Sequence, residues 1–323
     1  MKDDIKLSII IPVYNVQNYL AECLDSVYKI TGIDKEIIIV NDGSTDGSNM
    51  IIDKYLSLYP NETVVETQFN QGQSVARNVG LDLASGDYVL FLDSDDTLEY
   101  SAVIEIFNYA QQHDLDLVQA RATKFGDVPR SIMPMPNEVF GSSKCSGISL
   151  LKKYCDVVSV EKSDFRPEVW LMLLKREIFT LNNIKFTAGM FYEDELMVPT
   201  LLLKANNAKV LNVSFYNYRI RQGSTIRSFD SRHIASKAKL VKEYYLLLSQ
   251  NNFYHPFLNG RLIGWSRESQ SYLSIKDITL LFMLRKYKIK DLILLSTIFL
   301  KSISRLGRKK SIESILSTKK VIE

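Results

Sequence analysis

Three carboxylates crowd into four positions, Asp93, Asp95 and Asp96, directly after the apolar run Tyr88-Val89-Leu90-Phe91-Leu92. A run this short and this apolar predicts a strand buried on both faces, the kind found in parallel sheets. Open α/β sheets bind ligands in the crevice beyond the carboxyl ends of such strands, which is where these side chains would stand. Crowded carboxylates repel one another unless something positive lies between them. A hard divalent cation, Mg²⁺ or Mn²⁺, is the natural filling, with oxygen ligands and a shell shared with substrate phosphates. The alternative is a polar loop whose Asp residues cap the next helix, predicted to start near Leu98.

Such a strand end needs a sheet behind it. Leu7 to Val13 is a β-branched apolar run ending in Tyr14-Asn15, and a helical pattern follows with Tyr19, Leu20, Cys23, Leu24 and Val27 on one face. Glu36 to Val40 is a second strand closed by Asn41-Asp42-Gly43, and Ser44 or Asp46 would cap a helix carrying Met50, Ile51, Ile52 and Tyr55. Thr63 to Thr67 predicts a weaker strand. Gly72 to Ala84 predicts a helix that Ser85-Gly86 ends as a C-cap. A further helix from Leu98 to about His113 and a strand from Leu117 to Ala122 continue the alternation. This βαβ repetition predicts an α/β fold with a mostly parallel sheet and right-handed crossovers. Between Phe125 and Lys162 the periodicity breaks at Pro129, Pro134, Pro136, Gly141 and Gly147, which reads as a loop-rich arm over the site. Lys209 to Val213 and Phe215 to Arg219 read as the last two strands of a first domain, residues 1–228. Helical patterns then fill a C-terminal region, residues 229–323.

Composition narrows the class. A chain of 323 residues, 46% hydrophobic and 24% charged, buries a real core and is not disordered. A net charge of +3 gives no ground for a nucleic-acid partner. Cys23, Cys145 and Cys155 are odd in number and lack metal-ligand spacing, which suggests reduced thiols in a cytosolic protein. Ile9-Ile10-Ile11 stops at Pro12, so no secretory signal is expected, and no spanning helix either. His113, His233 and His255 are scattered and read as structural or exposed.

Neither G-x-G-x-x-G nor G-x-x-x-x-G-K-[ST] follows a strand, so the dinucleotide and P-loop phosphate cradles are missing. The strand ends carry other chemistry. Asp42 accepts a hydrogen bond from a nucleobase or ribose, or is a turn residue before Gly43. Arg77 lies on an otherwise apolar helix, where it snorkels, pairs with a carboxylate or serves a ligand. Trp170 is a platform for a sugar ring or part of the core. Glu193-Asp194-Glu195 opens a helix, where acidic residues suit the macrodipole whatever else they do.

Four blocks together identify a family. SIIIPVYNVQNYLAECLDSV from Ser8, EIIIVNDGSTDGS from Glu36, NQGQSVARNVGLDLASGDYVLFLDSDD from Asn70 and YEDE from Tyr192 resemble the family 2 glycosyltransferases and their GT-A fold. The resemblance is carried mainly by residues 6 to 125. It implies transfer of a sugar from a nucleotide-sugar, commonly a UDP-sugar, to an acceptor hydroxyl with inversion. Asp42 would hold the base, Pro12-Val13-Tyr14 would line its pocket, and Arg77 would lie beside the nucleotide. Asp93, Ser94 and Asp95 match the family's D-x-D motif, with Asp93 and Asp95 on Mn²⁺ or Mg²⁺. Asp194 matches the proposed catalytic base, with Glu193 beside it and Trp170 on the way to the acceptor. Tyr218-Arg219-Ile220-Arg221 is similar to segments that close over the donor diphosphate, so Arg219 or Arg221 would neutralise phosphate charge. Gln222 stands near where many relatives carry a His.

The tail adds a partner. Apolar segments within residues 276–310, flanked by Lys286, Lys288, Arg305, Arg308, Lys309 and Lys310, suit interfacial helices on anionic lipid, or else a bundle with a basic face. The expectation is a metal-dependent transferase of surface-polysaccharide synthesis, peripheral on the inner face of the cell membrane, with a saccharide acceptor that is lipid-linked in one version. The alternatives are a transferase with a soluble or polymeric acceptor and a tail that makes a homo-oligomer, or a non-catalytic nucleotide-sugar-binding subunit.

Overall fold

The computed structural model describes residues 6–135, 143–161, 167–221 and 231–269. Gln222 and the tail over 276–310 lie outside the described residues. The chain divides into two compact units, residues 1–189 with 197–227 and residues 190–196 with 228–323.

In the first unit, β1 (Lys6–Val13), β2 (Asp34–Asn41), β3 (Thr63–Thr67) and β4 (Tyr88–Phe91) form a parallel group in the order β3-β2-β1-β4. The near-continuous Ile and Val of β1 and β2 follow from burial on both faces. The crossovers are α1 (Leu20–Tyr28), α2 (Ser48–Leu58) and α3 (Gln73–Leu83). The chain winds outward from β1 to β3 and then returns to β1's other side as β4. That reversal makes β1 and β4 a topological switch point, and their carboxyl ends border the crevice where such sheets bind ligands.

Beyond β4 the sheet is mixed. β5 (Thr97–Leu98), α4 (Tyr100–Gln112), β6 (Leu117–Gly126), β7 (Ser131–Ile132), α5 (Gly147–Glu161), β8 (Met172–Lys175), α6 (Glu177–Asn182), α7 (Asp194–Lys204) and β9 (Ala208–Ile220) follow in order. β8 runs antiparallel to both β4 and β6, and β9 lies between β6 (parallel) and β5 (antiparallel). The predicted parallel arrangement thus describes the amino-terminal half, which is the half that carries the strand-end motifs.

Four local expectations are corrected. The segment expected to begin a helix at Leu98 is first captured by the edge of β9, with Leu98 paired to Tyr216, and the helix starts at Tyr100. The two strands expected around Ser214 are one strand whose register slips opposite Arg121, an irregularity that reads as a break in the sequence. The arm expected from Phe125 to Lys162 contains α5, whose Leu150, Leu151, Tyr154 and Cys155 are buried. Ser146 starts that helix by accepting the Ser149 N–H through Oγ at 3.2 Å. Gly86 is no left-handed cap after α3; its N–H donates to Ser8 Oγ at 2.9 Å and to Glu36 Oε1 at 3.1 Å.

The second unit contains α8 (Ser231–Gln250) and α9 (Pro256–Glu268). Leu240, Val241, Leu248, Leu258 and Leu262 are buried, and Tyr244 meets Trp265 edge-on at 5.3 Å. His255 caps α9 through Nδ1, which accepts the Phe257 N–H. Phe191 stacks on His233 at 4.1 Å, and Ser236 Oγ accepts its N–H, so the short segment before α7 is held by α8. No helix among the described residues is long and apolar enough to cross a membrane.

Candidate active site

The loops after β1 and β2 are knitted into one rim. Val13 O accepts the Asp42 N–H at 2.8 Å, Ser44 Oγ accepts the Asn15 N–H, and Asn15 Oδ1 accepts the Thr45 N–H at 2.8 Å. Pro12-Val13-Tyr14 and Asp42 are therefore brought together as expected from their positions. Tyr14 is 48% exposed, whereas Asp42 is 3% exposed. Both Asp42 oxygens are engaged by the loop after β3: Oδ1 by the Gln71 N–H and Gln68 Nε2, Oδ2 by the Gly72 N–H. Gly43, at φ +74°, lets that loop close over it, since a Cβ there would stand 2.9 Å from Asn70 N.

The acid loop after β4 is held from α3 and β9. Arg77, 1% exposed, donates through Nη2 to Asp93 Oδ1 at 2.8 Å and lies on the Phe186 ring at 5.3 Å. Gln73 Nε2 donates to the same oxygen at 2.6 Å. Arg221 Nε donates to Asp95 Oδ2 at 2.7 Å, and Arg219 Nε donates to the Asp95 carbonyl at 2.7 Å. Arg219 also pairs with Glu22 and lies on the rings of Phe125, at 4.3 Å, and Tyr19, at 5.2 Å. Ser94 is buried within this turn.

Asp96 plays a different part from its neighbours. It is 1% exposed and accepts from the Arg219 N–H through Oδ1 and from the Tyr216 hydroxyl through Oδ2, at 2.6 and 2.8 Å. The Tyr216 hydroxyl in turn accepts the Asp93 N–H at 3.1 Å, so one phenol fixes both ends of the loop. Burial, then the charges of Asp95 and Asp93, hold the Asp96 carboxyl well above the usual range, against the hydrogen bonds from Arg219 and Tyr216. The same field acts on Cys23, whose thiol is pushed up by burial and then by Asp96, Asp95 and Asp93. Cys23, Cys145 and Cys155 are all free thiols.

Among the described residues no group of three or more His, Cys, Asp and Glu side chains is arranged to hold a metal ion. The donor set fits a cation that takes two carboxylates and completes its shell with phosphate and water. Asp93 Oδ2 and Asp95 Oδ1 carry no hydrogen bond among the described residues, because Arg77 and Arg221 use the other oxygen of each pair.

Other expected site residues fall elsewhere. Trp170 is 6% exposed, its indole 4.4 Å from the Tyr216 ring and stacked on Tyr218 at 5.4 Å, so its packing supports the core reading and backs the phenol that holds the acid loop. Glu193 and Asp194 stand at the start of α7 in the stretch that belongs to the second unit, beside Tyr192 at φ +62°. Glu195 is half-buried and ion-paired with Arg261; loss of solvent pushes its carboxyl up and Arg261 opposes this. Gln73, Tyr216 and Glu22 are not singled out by the sequence, and Tyr19 only as part of a helix face. Gln73 alone carried a signal, lying one turn before Arg77 on the same helix.

Residues 8–176 match the sequence model described as glycosyl transferase family 2. The chain is 31% identical over 259 residues to glycosyltransferase GlyA of Streptococcus pneumoniae serotype 4, a match covering 77% of this chain and 36% of that protein. It is 32% identical over 224 residues to YibD of Escherichia coli K12, described as an uncharacterized glycosyltransferase, covering 69% of this chain and 63% of that protein. The chain therefore spans less than two thirds of the length of either relative. In fold it is similar to S. aureus TarS 1–349 solved with UDP-GlcNAc, with a TM-score of 0.64 at 20% identity over 94% of this chain and 82% of that one.

Proposed function

The chain belongs to glycosyl transferase family 2, and from that premise we propose that it moves a sugar from a UDP-sugar to a saccharide hydroxyl with inversion, in the making of a surface polysaccharide. The observation that carries this reading is the pairing of Asp93 with Arg77 and Asp95 with Arg221 at the switch point of the sheet. Alternating carboxylates and guanidiniums at that crevice suit a diphosphate and its counter-ion. The UDP-sugar class is also the one with which the TarS structure, similar in fold, was solved.

Asp42 and the Pro12-Val13-Tyr14 rim hold the nucleoside, with exposed Tyr14 free to stack on the base. For the base to use Asp42, the hydrogen bonds from Gln68 and Gln71 must give way or be shared. Asp93 and Asp95 would hold Mn²⁺ or Mg²⁺, which when bound would neutralise charge on the diphosphate and orient it. Arg219 and Arg221 add donors to the phosphate oxygens. In the transfer, the acceptor oxygen bonds to the anomeric carbon as the bond to the diphosphate oxygen breaks and takes its electron pair into the leaving UDP. The acceptor proton passes to the Asp194 carboxylate, with Glu193 beside it. The basic tail places the enzyme at an anionic membrane face, where a lipid-linked acceptor is met.

Asp95→Ala tests the donor site: calorimetry with UDP and Mn²⁺ should lose most of its metal-dependent heat while the fold persists. Metal-sensitive UDP affinity unchanged in the variant would remove the assignment. Asp194→Asn separates binding from chemistry. Single-turnover transfer at saturating donor should fall by roughly 10²–10⁴-fold, the span of a general base, with UDP affinity preserved. Rates near the wild type would leave the acidic triplet as a helix start only.

A further inference from the structure

The acid loop balances its charge with the protein's own cations. Arg77 answers Asp93, Arg221 answers Asp95, and Asp96 is satisfied by the Tyr216 hydroxyl and the Arg219 N–H. The two ion pairs differ in how firmly they are built. Arg77 is buried within α3, and Gln73 reinforces its grip on Asp93 Oδ1. Arg221 sits just past the end of β9, and its side chain and that of Asp95 are 23% and 24% exposed. Its guanidinium lies on the Tyr19 ring at 4.8 Å, a ring that Arg219 also covers. An ion pair this exposed is weak, and a side chain stacked on an aromatic face can pivot without leaving its support.

We propose that Arg221 is a tethered counter-cation: it occupies Asp95 until a divalent metal and the diphosphate arrive, yields that carboxylate to the metal, and turns on Tyr19 to meet the diphosphate. A dication and a guanidinium placed on one carboxylate repel each other, so the metal and Arg221 compete for Asp95. The released guanidinium has a better partner in phosphate, whose oxygens match its fork. Asp93 makes no such exchange: the two carboxylates are exposed alike, but Arg77, with 2% of its side chain exposed against 23% for Arg221, is packed in place and cannot swing away. The inference rests on the metal-assisted reading above and adds to it that wild-type metal affinity is held down by Arg221 before the donor binds.

The test titrates Mn²⁺ alone into the full chain without nucleotide and follows free Mn²⁺ by electron paramagnetic resonance. Arg221→Met should bind Mn²⁺ about tenfold tighter than wild type, a difference of about 1.4 kcal/mol. Its UDP affinity at saturating Mn²⁺ should fall, because the displaced guanidinium is gone. Arg221→Lys keeps the charge but loses the fork and the planar stack, so it should lie between the two. Equal or weaker Mn²⁺ binding in Arg221→Met overturns the proposal. If that variant does not fold by circular dichroism, the lysine variant decides alone: tighter binding supports the proposal and unchanged binding overturns it. Asp95→Asn separates the two readings. Loss of wild-type Mn²⁺ binding in that variant, with no tightening in the Arg221 variants, sinks the counter-cation and leaves the metal site standing. No Mn²⁺ binding in any form removes both.

Discussion

Asp96 shows what a single side chain in this loop has to balance. Its carboxyl is held above the usual range by burial and then by Asp95 and Asp93, so between an ordinary pKa of about 4 and its folded value the native state keeps a proton that the unfolded chain has lost. Stability then falls as pH rises through that window, since the folded state binds more protons there than the unfolded one. Asp96→Asn cannot ionise. In metal-free buffer the difference in unfolding free energy, wild type minus variant, should therefore decline from pH 4 upward, as read by urea denaturation at a series of pH values. A difference that is flat or grows with pH would mean that Asp96 is ionised in the native state. At this scale the sequence announced Asp42, Arg77, Asp93, Asp95, Arg219 and Arg221, because each lies in a short motif with its own spacing. It could not announce Tyr216 or Glu22, whose partners lie 120 and 197 residues away in the chain. A tyrosine inside a strand carries no local mark of its errand.

Among elements, α3 and β1 set the spacing on which the site depends, because α3 presents Arg77 and Gln73 while β1 ends in the Pro12-Val13-Tyr14 rim. They touch at Gly80, where a Cβ would stand 2.3 Å from Ile10 Cγ2. Alanine is the better helix former by about 1 kcal/mol. Overpacking a core contact costs about 1–3 kcal/mol, and the clash should win. Gly80→Ala should lower the urea midpoint with an unchanged slope, and a raised midpoint would mean that helix and strand have room to separate. The amino-terminal elements were legible because buried parallel strands and amphipathic helices have strong periods. β9 was read as two strands because a slip in register looks like a break, and β5 was read as helix because a two-residue strand is recognised only by its partner. α5 was hidden by the punctuation that precedes it, and its own apolar face only begins at Leu150.

For the molecule as a whole, the basic tail poses the question of where the enzyme works. On the proposed membrane reading, its apolar segments and their Lys and Arg flanks would bind an anionic surface additively, and the charged part would be screened as the Debye length falls from about 10 Å at 0.1 M salt to about 3 Å at 1 M. Truncation after Ser274 should abolish co-sedimentation with anionic vesicles and spare UDP binding, and the full chain's binding should weaken with salt. If the full chain ignores anionic vesicles and truncation turns a dimer into a monomer, the tail is an oligomerisation module and the membrane reading falls.

The phenol of Tyr216 carries one more consequence, for the order in which the chain is made. It grips Asp93 and Asp96 from 123 and 120 residues downstream, so the acid loop has its final shape only after β9 has left the ribosome and inserted between β6 and β5. Contacts this distant in sequence form late and slow folding. A nascent chain that has completed the four-stranded parallel group already possesses the rim joining the loops after β1 and β2 but not a rigid acid loop. Until β9 docks, the half-made protein is exposed along the edge of its sheet, and vectorial synthesis, rather than the finished fold, sets how long that edge stays open.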